Sequence, residues 1–418
     1  MAQKIYDEIM AKAEAKTDQI VQFTQQLVRT KSVNSVHLEK DVADILIPKL
    51  KELGFELQVY EFEAGRPCII ATIKGNHPGP RLMCYSHMDT VSEWDASLWS
   101  ADPFGGEIID GKIYGRGTCD HKSEIVSLMV AFEILKEMGT DFKGELVFIF
   151  DSDEERGGIK GMQELIKRDL VKADLGLYAC TTQISDESRA NFPTTDEVNI
   201  IRAAAGIVTY KFTVPGTKTH PRYLMNMESS MTPGEHAMAL LTKLHHLAEN
   251  VSQHFDERTG SAKLWINSIN TISKEESARP GAMGVCEVTV SRRVTPSEDL
   301  DQAEQAILNV VAETENEKGI EIGKELIRKR PSTLVPLDSR IIEEVIKAAE
   351  IVDGRKPKPT GVPALTGNGW FVNEAQIPTV MFGYGYNDYH HAIDEHIAIT
   401  DLVKNTQAYA IIIKNILS

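Results

Sequence analysis

The chain has 418 residues, 42% apolar and 25% charged, and a formal net charge of −16. That length exceeds one ordinary core and predicts two domains of a globular protein. The acidic balance argues against nucleic acid or an anionic membrane surface as partner, and no run approaches the ~20 apolar residues of a membrane span.

Residues 1–53 have helical periodicity. Ile20, Phe23, Leu27 and Val28 share one face, and Val42, Ile45, Leu46 and Leu50 another. The first 16 residues are charged, with no apolar signal core, so a cytoplasmic location is expected. Residues 56–62 alternate like a half-buried strand. Short apolar runs at 68–73 and 81–85 predict buried strands, and 145–150 another. A helix is predicted over 123–138, ended by Gly139. This alternation is the α/β signature.

The pattern changes near residue 200. A strand at 209–214, a helix at 233–250, an alternating strand at 285–290 and a helix at 297–314 make a β-α-β-α run, typical of a small α+β domain. The first style returns with a helix at 339–352, a strand at 379–382 and a helix at 401–417. The expected division is a domain of residues 1–203 and 328–418, interrupted by an inserted domain, 204–327. Five cysteines (Cys68, Cys84, Cys119, Cys180, Cys286) are scattered and odd in number, and do not read as a disulfide framework.

Three stretches carry the chemistry. His87 follows an apolar strand, at the edge where open α/β sheets bind ligands. Asp89, two residues on, can fix its tautomer. Asp120 closes the Gly-rich turn 115–120 just before a helix, as a metal ligand, a helix N-cap or both. Asp151, Asp153, Glu154 and Glu155 lie just beyond a buried strand. Neighbouring acids there need a cation or raised pKa values. Two adjacent glutamates can divide labour, one binding metal and one serving as general base. Near the C-terminus, His390 and His391 are equal candidates by residue type.

These elements, HxD at His87–Asp89, GxGxxD ending on Asp120, the DEE run ending on Glu155, and HAxDE beginning at His391, resemble the M20 metallopeptidases in order and approximate spacing. That family includes aminoacylases, succinyl-diaminopimelate desuccinylase, peptidase T and carboxypeptidase G. The resemblance covers most of the chain. It implies an α/β catalytic domain, a mixed sheet flanked by helices as in zinc exopeptidases, with an inserted α+β ferredoxin-like lid that dimerises. It implies one or two divalent ions, zinc first and manganese or cobalt next. His87 would bind the first, Glu155 and His391 the second, and Asp120 both. Glu154 would be the general base and Asp89 would orient His87. His220 would stabilise the oxyanion, and Arg293 would anchor a substrate carboxylate. The expected partners are a small-molecule substrate and a second copy of the chain.

The chain also departs from the family. The acid expected as third ligand of the first ion is replaced by Cys180. A thiolate favours zinc, but an inert Cys180 would leave one ion only, with Asp186 and Glu187 as nearby substitutes. The Asn expected before the DxRxxP-like element is missing, the register falling near Arg279-Pro280. The late Gly-rich segment, residues 365–371, lacks its usual acid and arginine. Asn368 and Trp370 stand there as substrate-binding candidates, with Tyr384, Tyr386 and Tyr389 offering further aromatic surface. The expected activity is metal-dependent hydrolysis of an amide or other C–N bond in a small carboxylate-bearing substrate. A dipeptidase, an N-acyl-amino-acid deacylase and a silent small-molecule binding protein are the alternatives.

Overall fold

The apolar runs around Cys68, Leu82 and Leu146 become neighbouring strands in the computed structural model, which describes residues 2–184, 198–216, 232–272 and 284–418. Those residues divide into two units. One comprises Met1–Arg202, Val335–Thr360 and Gly367–Ser418, the other Ala203–Leu334 and Gly361–Thr366.

In the first unit the strands Glu56–Glu61, Pro67–Lys74, Lys143–Asp151, His77–His87, Leu175–Ala179 and Thr379–Phe382 lie side by side in that order. The sheet is mixed. His77–His87 runs parallel to Lys143–Asp151 and to Leu175–Ala179, which is parallel to Thr379–Phe382. Pro67–Lys74 is antiparallel to Lys143–Asp151. Leu82, Cys84, Phe148, Leu177 and Val380 are fully buried, which accounts for near-continuous apolar runs in place of alternation. The helix Lys122–Glu137 packs on the closing helix Ile399–Leu417 and is buried almost all round, with Ile125, Leu128, Phe132 and Leu135 inside. It begins two residues after Asp120, so the site rests on a rigid core element.

Parallel register decides what meets at the sheet's edge. His87 lies opposite Asp151, and Tyr85 opposite Tyr178. The segments that continue these strands, Ser152–Glu155 and Cys180–Thr181, therefore emerge on the same side as His87.

The second unit has its own core, including Val208, Phe212, Leu240, Val288 and Ile307. Its sheet is antiparallel, ordered Lys263–Ile272, Val285–Val294, Gly206–Pro215, Gly323–Arg330. With the helices Pro233–Val251 and Leu300–Lys318 the chain order is β-α-β-β-α-β, the ferredoxin-like arrangement. The first helix starts on a capping box of Thr232 and Glu235, the second on Asp299, whose side chain accepts the Gln302 amide. Two strands go beyond the predicted β-α-β-α run. Gly323–Arg330 is exposed along most of its length, and Lys263–Ile272 over most of its second half, so neither shows a buried alternating face. Among the described residues, no helix is long and apolar enough to cross a membrane.

Candidate active site

Two buried carboxylates set the shape of the site: Asp89, expected to orient His87, and Glu395, to which the sequence assigns no separate role. Asp89 is fully buried. Its Oδ1 accepts the main-chain amide of Glu154 at 3.2 Å. Its Oδ2 accepts the amide of Glu155 at 3.0 Å and Asn34 Nδ2 at 2.7 Å. Asp89 therefore fixes the short turn Glu154–Arg156 as well as its neighbour His87. Glu395, also fully buried, does the same for the Gly-rich turn. It takes Arg116 Nη1 at 2.6 Å, the Gly117 amide at 3.1 Å, the Cys119 amide at 2.8 Å and the Asp120 amide at 3.0 Å. A carboxylate saturated by charge-assisted hydrogen bonds is a stiff clamp. Gly117 sits at φ 88°, and a Cβ there would strike Thr90 and Lys122 at 2.9–3.0 Å, so the turn requires glycine at that point.

Asp120 is the hub. Its Oδ1 lies 3.3 Å from His87 Nε2 and 3.1 Å from His121 Nδ1. Its Oδ2 lies 3.4 Å from His390 Nδ1 and 3.0 Å from His391 Nε2. Burial opposes its charge, yet the four imidazoles hold its pKa well below the usual carboxylate range. His391 Nε2 also lies 3.0 Å from Glu155 Oε2. Those two carboxylates push the His391 pKa up to about 10, against burial. Burial, then the Asp120 charge, raises Glu155 to about 7. Its other oxygen, Oε1, is buried without a hydrogen-bond partner.

Glu154 lies beside this cluster. Tyr178 donates its hydroxyl to Glu154 Oε1 at 3.1 Å. Burial raises its pKa to about 8; the His87 charge opposes this, and the charges of Glu155, Asp120 and Asp89 add to it. The other two acids of the run have structural duties. Asp151 accepts from Ser152 N at 2.8 Å and Tyr85 Oη at 3.3 Å, and Asp153 from Lys160 N at 2.7 Å.

Among the described residues the ligand candidates fall into three groups, each with its donor atoms within 4.8 Å of one another: Asp120, Glu155 and His391; His87, Asp120 and His121; His121, Cys180 and His390. The first fits a divalent cation. It supplies two carboxylates and an imidazole, and the unpartnered Glu155 oxygen is a buried charge that no protein donor answers. Cys180 is buried and groups with His121 and His390 rather than with His87. His121 and its contacts are absent from the sequence reading. Its position after Asp120 was the available signal, and only the fold places it against His87.

The substrate-binding candidates differ in burial. Asn368 is buried and donates Nδ2 to Thr379 O at 2.8 Å, tying its loop to a strand. Trp370 is buried too. A Cβ at Gly367 would come within 2.9 Å of both the Trp370 ring and Glu154 Oε1, so this glycine lies between the ring and the general-base candidate. Tyr384 is fully buried and Tyr386 exposed. Arg293, on Val285–Val294, is half-buried, and burial lowers its pKa. Its neighbour Arg292 is committed to Ala303 O at 2.8 Å and Glu298 Oε1 at 2.7 Å. His220, Asp186 and Glu187 lie outside the described residues.

A mixed α/β sheet, a ferredoxin-like insertion and an Asp-centred cluster of imidazoles and glutamates define a metal-dependent hydrolase. The chain belongs to peptidase family M20/M25/M40, whose model matches residues 83–415, and is a hydrolase of amide-type C–N bonds. It is 27% identical to an uncharacterized metallohydrolase of Methanocaldococcus jannaschii, over 95% of this chain and 99% of that one. It is 25% identical to a succinyl-diaminopimelate desuccinylase of Hydrogenovibrio crunogenus, over 95% and 98%. Among solved structures, the aminopeptidase PepT of Bacillus cereus has a similar fold, with a TM-score of 0.75 at 20% identity, covering 96% of this chain and 98% of that one.

Proposed function

We propose that this protein hydrolyses the amide or a related C–N bond of a small carboxylate-bearing substrate, with Asp120, Glu155 and His391 holding a divalent ion and Glu154 acting as general base. The observation that carries it is the convergence of those three donors, His391 Nε2 lying 3.0 Å from both Asp120 Oδ2 and Glu155 Oε2, with Glu154 the residue before Glu155. A divalent ion there would polarise the scissile carbonyl and acidify the attacking water. Zinc is the favoured metal where thiol and imidazole donors are close by.

The chain's own residues account for the proton traffic. Tyr178 holds one oxygen of Glu154, leaving the carboxylate oriented for water. Glu154 takes the proton as the water oxygen bonds to the carbonyl carbon. It then delivers it to the nitrogen as the C–N bond breaks, giving a free acid and an amine. Asp89 keeps Glu154 and Glu155 in register with each other through their amides. Arg293, which has no hydrogen-bond or ion-pair partner among the described residues, is the candidate anchor for the substrate carboxylate, and His220 the candidate oxyanion donor. A dimer is supported by the edge strand Lys263–Ile272, which exposes Ile266, Ile269 and Ile272. Five buried free cysteines accord with a reducing, cytoplasmic setting.

The decisive experiment is Glu154→Gln, assayed for turnover of N-acyl amino acids and dipeptides and for metal content. Turnover should fall by at least about 10²-fold with the metal retained. A variant that keeps near wild-type turnover removes Glu154 from the mechanism.

A further inference from the structure

We propose that Asn34 is a positioning residue for Glu154, its side-chain amide joining Asp89 to Asp153, the two carboxylates that hold the turn on which Glu154 stands. The proposal rests on the hydrolase reading of Glu154 and adds to it a residue from outside the motifs.

The loop that carries Asn34 reaches the site through its main chain. Val33 bridges Thr90 in parallel. The Thr90 amide donates to Ser32 O at 2.9 Å, and the Asn34 amide to Thr90 O at 2.9 Å. Ser32 Oγ donates to Met88 O at 2.7 Å. Residues 32–34 therefore run alongside Met88–Thr90, and the burial of Ser32 and Val33 fixes that alignment. None of these links uses the Asn34 side chain, so a substitution there leaves the loop tied.

The side-chain amide has a defined direction. Its Nδ2 lies 2.7 Å from Asp89 Oδ2 and 3.1 Å from Asp153 Oδ1. Its Oδ1 lies 3.3 Å from Arg66 Nη1 and 3.2 Å from Ser35 Oγ. A guanidinium only donates and a carboxylate accepts, so the NH₂ faces the acids and the oxygen faces Arg66. Arg66 is itself fixed, since Nη1 also donates to both oxygens of the fully buried Glu39 at 2.8 and 2.7 Å. Rotation of the amide would break contacts on both sides.

Both acids act on the turn that carries Glu154. Asp89 accepts the Glu154 and Glu155 amides. Asp153 immediately precedes Glu154, and its Oδ2 accepts the Lys160 amide at 2.7 Å. Its main-chain oxygen accepts the Gly158 amide at 2.7 Å. Asp89 and Asp153 are buried, and each brings an oxygen within 3.1 Å of the same nitrogen. Like charges so placed repel unless a donor stands between them. The Asn34 NH₂ has two hydrogens, one for each acid. That match is the observation that carries the role.

The test compares Asn34→Ala and Asn34→Asp with wild type in the full-length, zinc-saturated protein. Steady-state kinetics on N-acyl amino acids and dipeptides are read together with Tm and hydrogen exchange. We expect kcat to fall about 10–100-fold with KM within about twofold, because Glu154 is misplaced and the rest of the site is not. Exchange should quicken about tenfold in the segment 152–160, the scale of one charge-assisted hydrogen bond, and stay at wild-type rates elsewhere. Asn34→Asp should lose more than Asn34→Ala, since it keeps the shape but sets a third carboxylate against the other two. A larger loss in Asn34→Ala would mean that Asn34 only fills space, and overturns the proposal. So does exchange that quickens throughout the chain with a lowered Tm. Wild-type kcat and exchange in both variants overturn it while leaving the hydrolase reading intact. If wild type itself turns over none of these substrates, the hydrolase reading fails, and the exchange of segment 152–160 still decides whether Asn34 holds the turn.

Discussion

The Asp89 carboxylate accepts the main-chain amide of Glu155 at 3.0 Å, across 66 positions of sequence. The same carboxylate accepts the Glu154 amide and Asn34, and approaches His87 Nδ1 at 3.3 Å. One buried side chain thus positions the general-base candidate, a ligand candidate and the strand-end histidine. Asp89→Asn keeps the shape but exchanges one acceptor for an NH₂ donor facing donors. We expect metal affinity or turnover to fall about 10–100-fold, the usual cost of removing a group that orients ligands. Measured metal affinity and kcat at wild-type levels would show that the clamp is dispensable.

Gly367 offers a finer probe of Glu154. A Cβ there would lie 2.9 Å from Glu154 Oε1 and 2.9 Å from the Trp370 ring. The ring is buried and has nowhere to go, whereas a carboxylate end can swing. Gly367→Ala should therefore displace Glu154 and lower kcat by up to about 10²-fold, the scale of a 1 Å misplacement. Metal content should hold, because the nearest neighbours of that Cβ are Glu154 and Trp370, neither a ligand candidate. Equal kcat in the variant and wild type would mean that Glu154 has latitude the chemistry does not notice.

The scaffold is legible in sequence wherever burial imposes a period. The strand around Leu146–Phe150 and the helix behind Asp120 are apolar because they are covered on all sides. Gly323–Arg330 escaped because almost all of it is exposed. The site divides in the same way. Asp120, Glu155 and His391 are neighbours in space and can be named from motifs. His121 cannot, because what matters about it is a 2.6 Å approach to a residue 34 positions earlier. Glu395 is readable only as an acid after Asp394, until the fold closes it over four donors of the turn Gly115–Asp120. Asn368 and Trp370 are named as substrate contacts because their segment departs from the family; both are buried, and Asn368 also ties its loop to Thr379.

Glu124 provides a pH signature separate from the ligand set. It is fully buried, with Tyr409 Oη 2.6 Å and Asn405 Nδ2 3.1 Å away. Burial raises its pKa from 4.5 to about 8, the Tyr409 bond opposes this, and Asp401 adds to it. A raised folded pKa means that the native state keeps the proton longer than the unfolded chain. The stability it contributes is full below about pH 4.5 and declines as pH rises through about 8. Glu124→Gln removes that decline while keeping the side chain's size. The urea midpoint of the variant, relative to wild type, should therefore rise steadily between those limits. A constant difference across the window would show that Glu124 is not titrating there.

Removing metal should be felt in the fold as well as in the rate. Asp120, Glu155 and the unpartnered Glu155 Oε1 put acidic groups in a buried cluster whose remaining cation among the ligand candidates of that group is an imidazole. A divalent ion binds the folded state and not the unfolded one, so it stabilises by RT ln(1 + [L]/Kd), about 2.7 kcal/mol at a hundredfold excess over Kd. Chelation should abolish turnover and lower Tm, and zinc or cobalt should restore both together. In Glu155→Gln, which weakens the donor set, Tm should respond less to added metal than in wild type. If chelator changes neither turnover nor Tm in a protein shown by elemental analysis to have lost its metal, these carboxylates and His391 are an ion-pair network and not a metal centre.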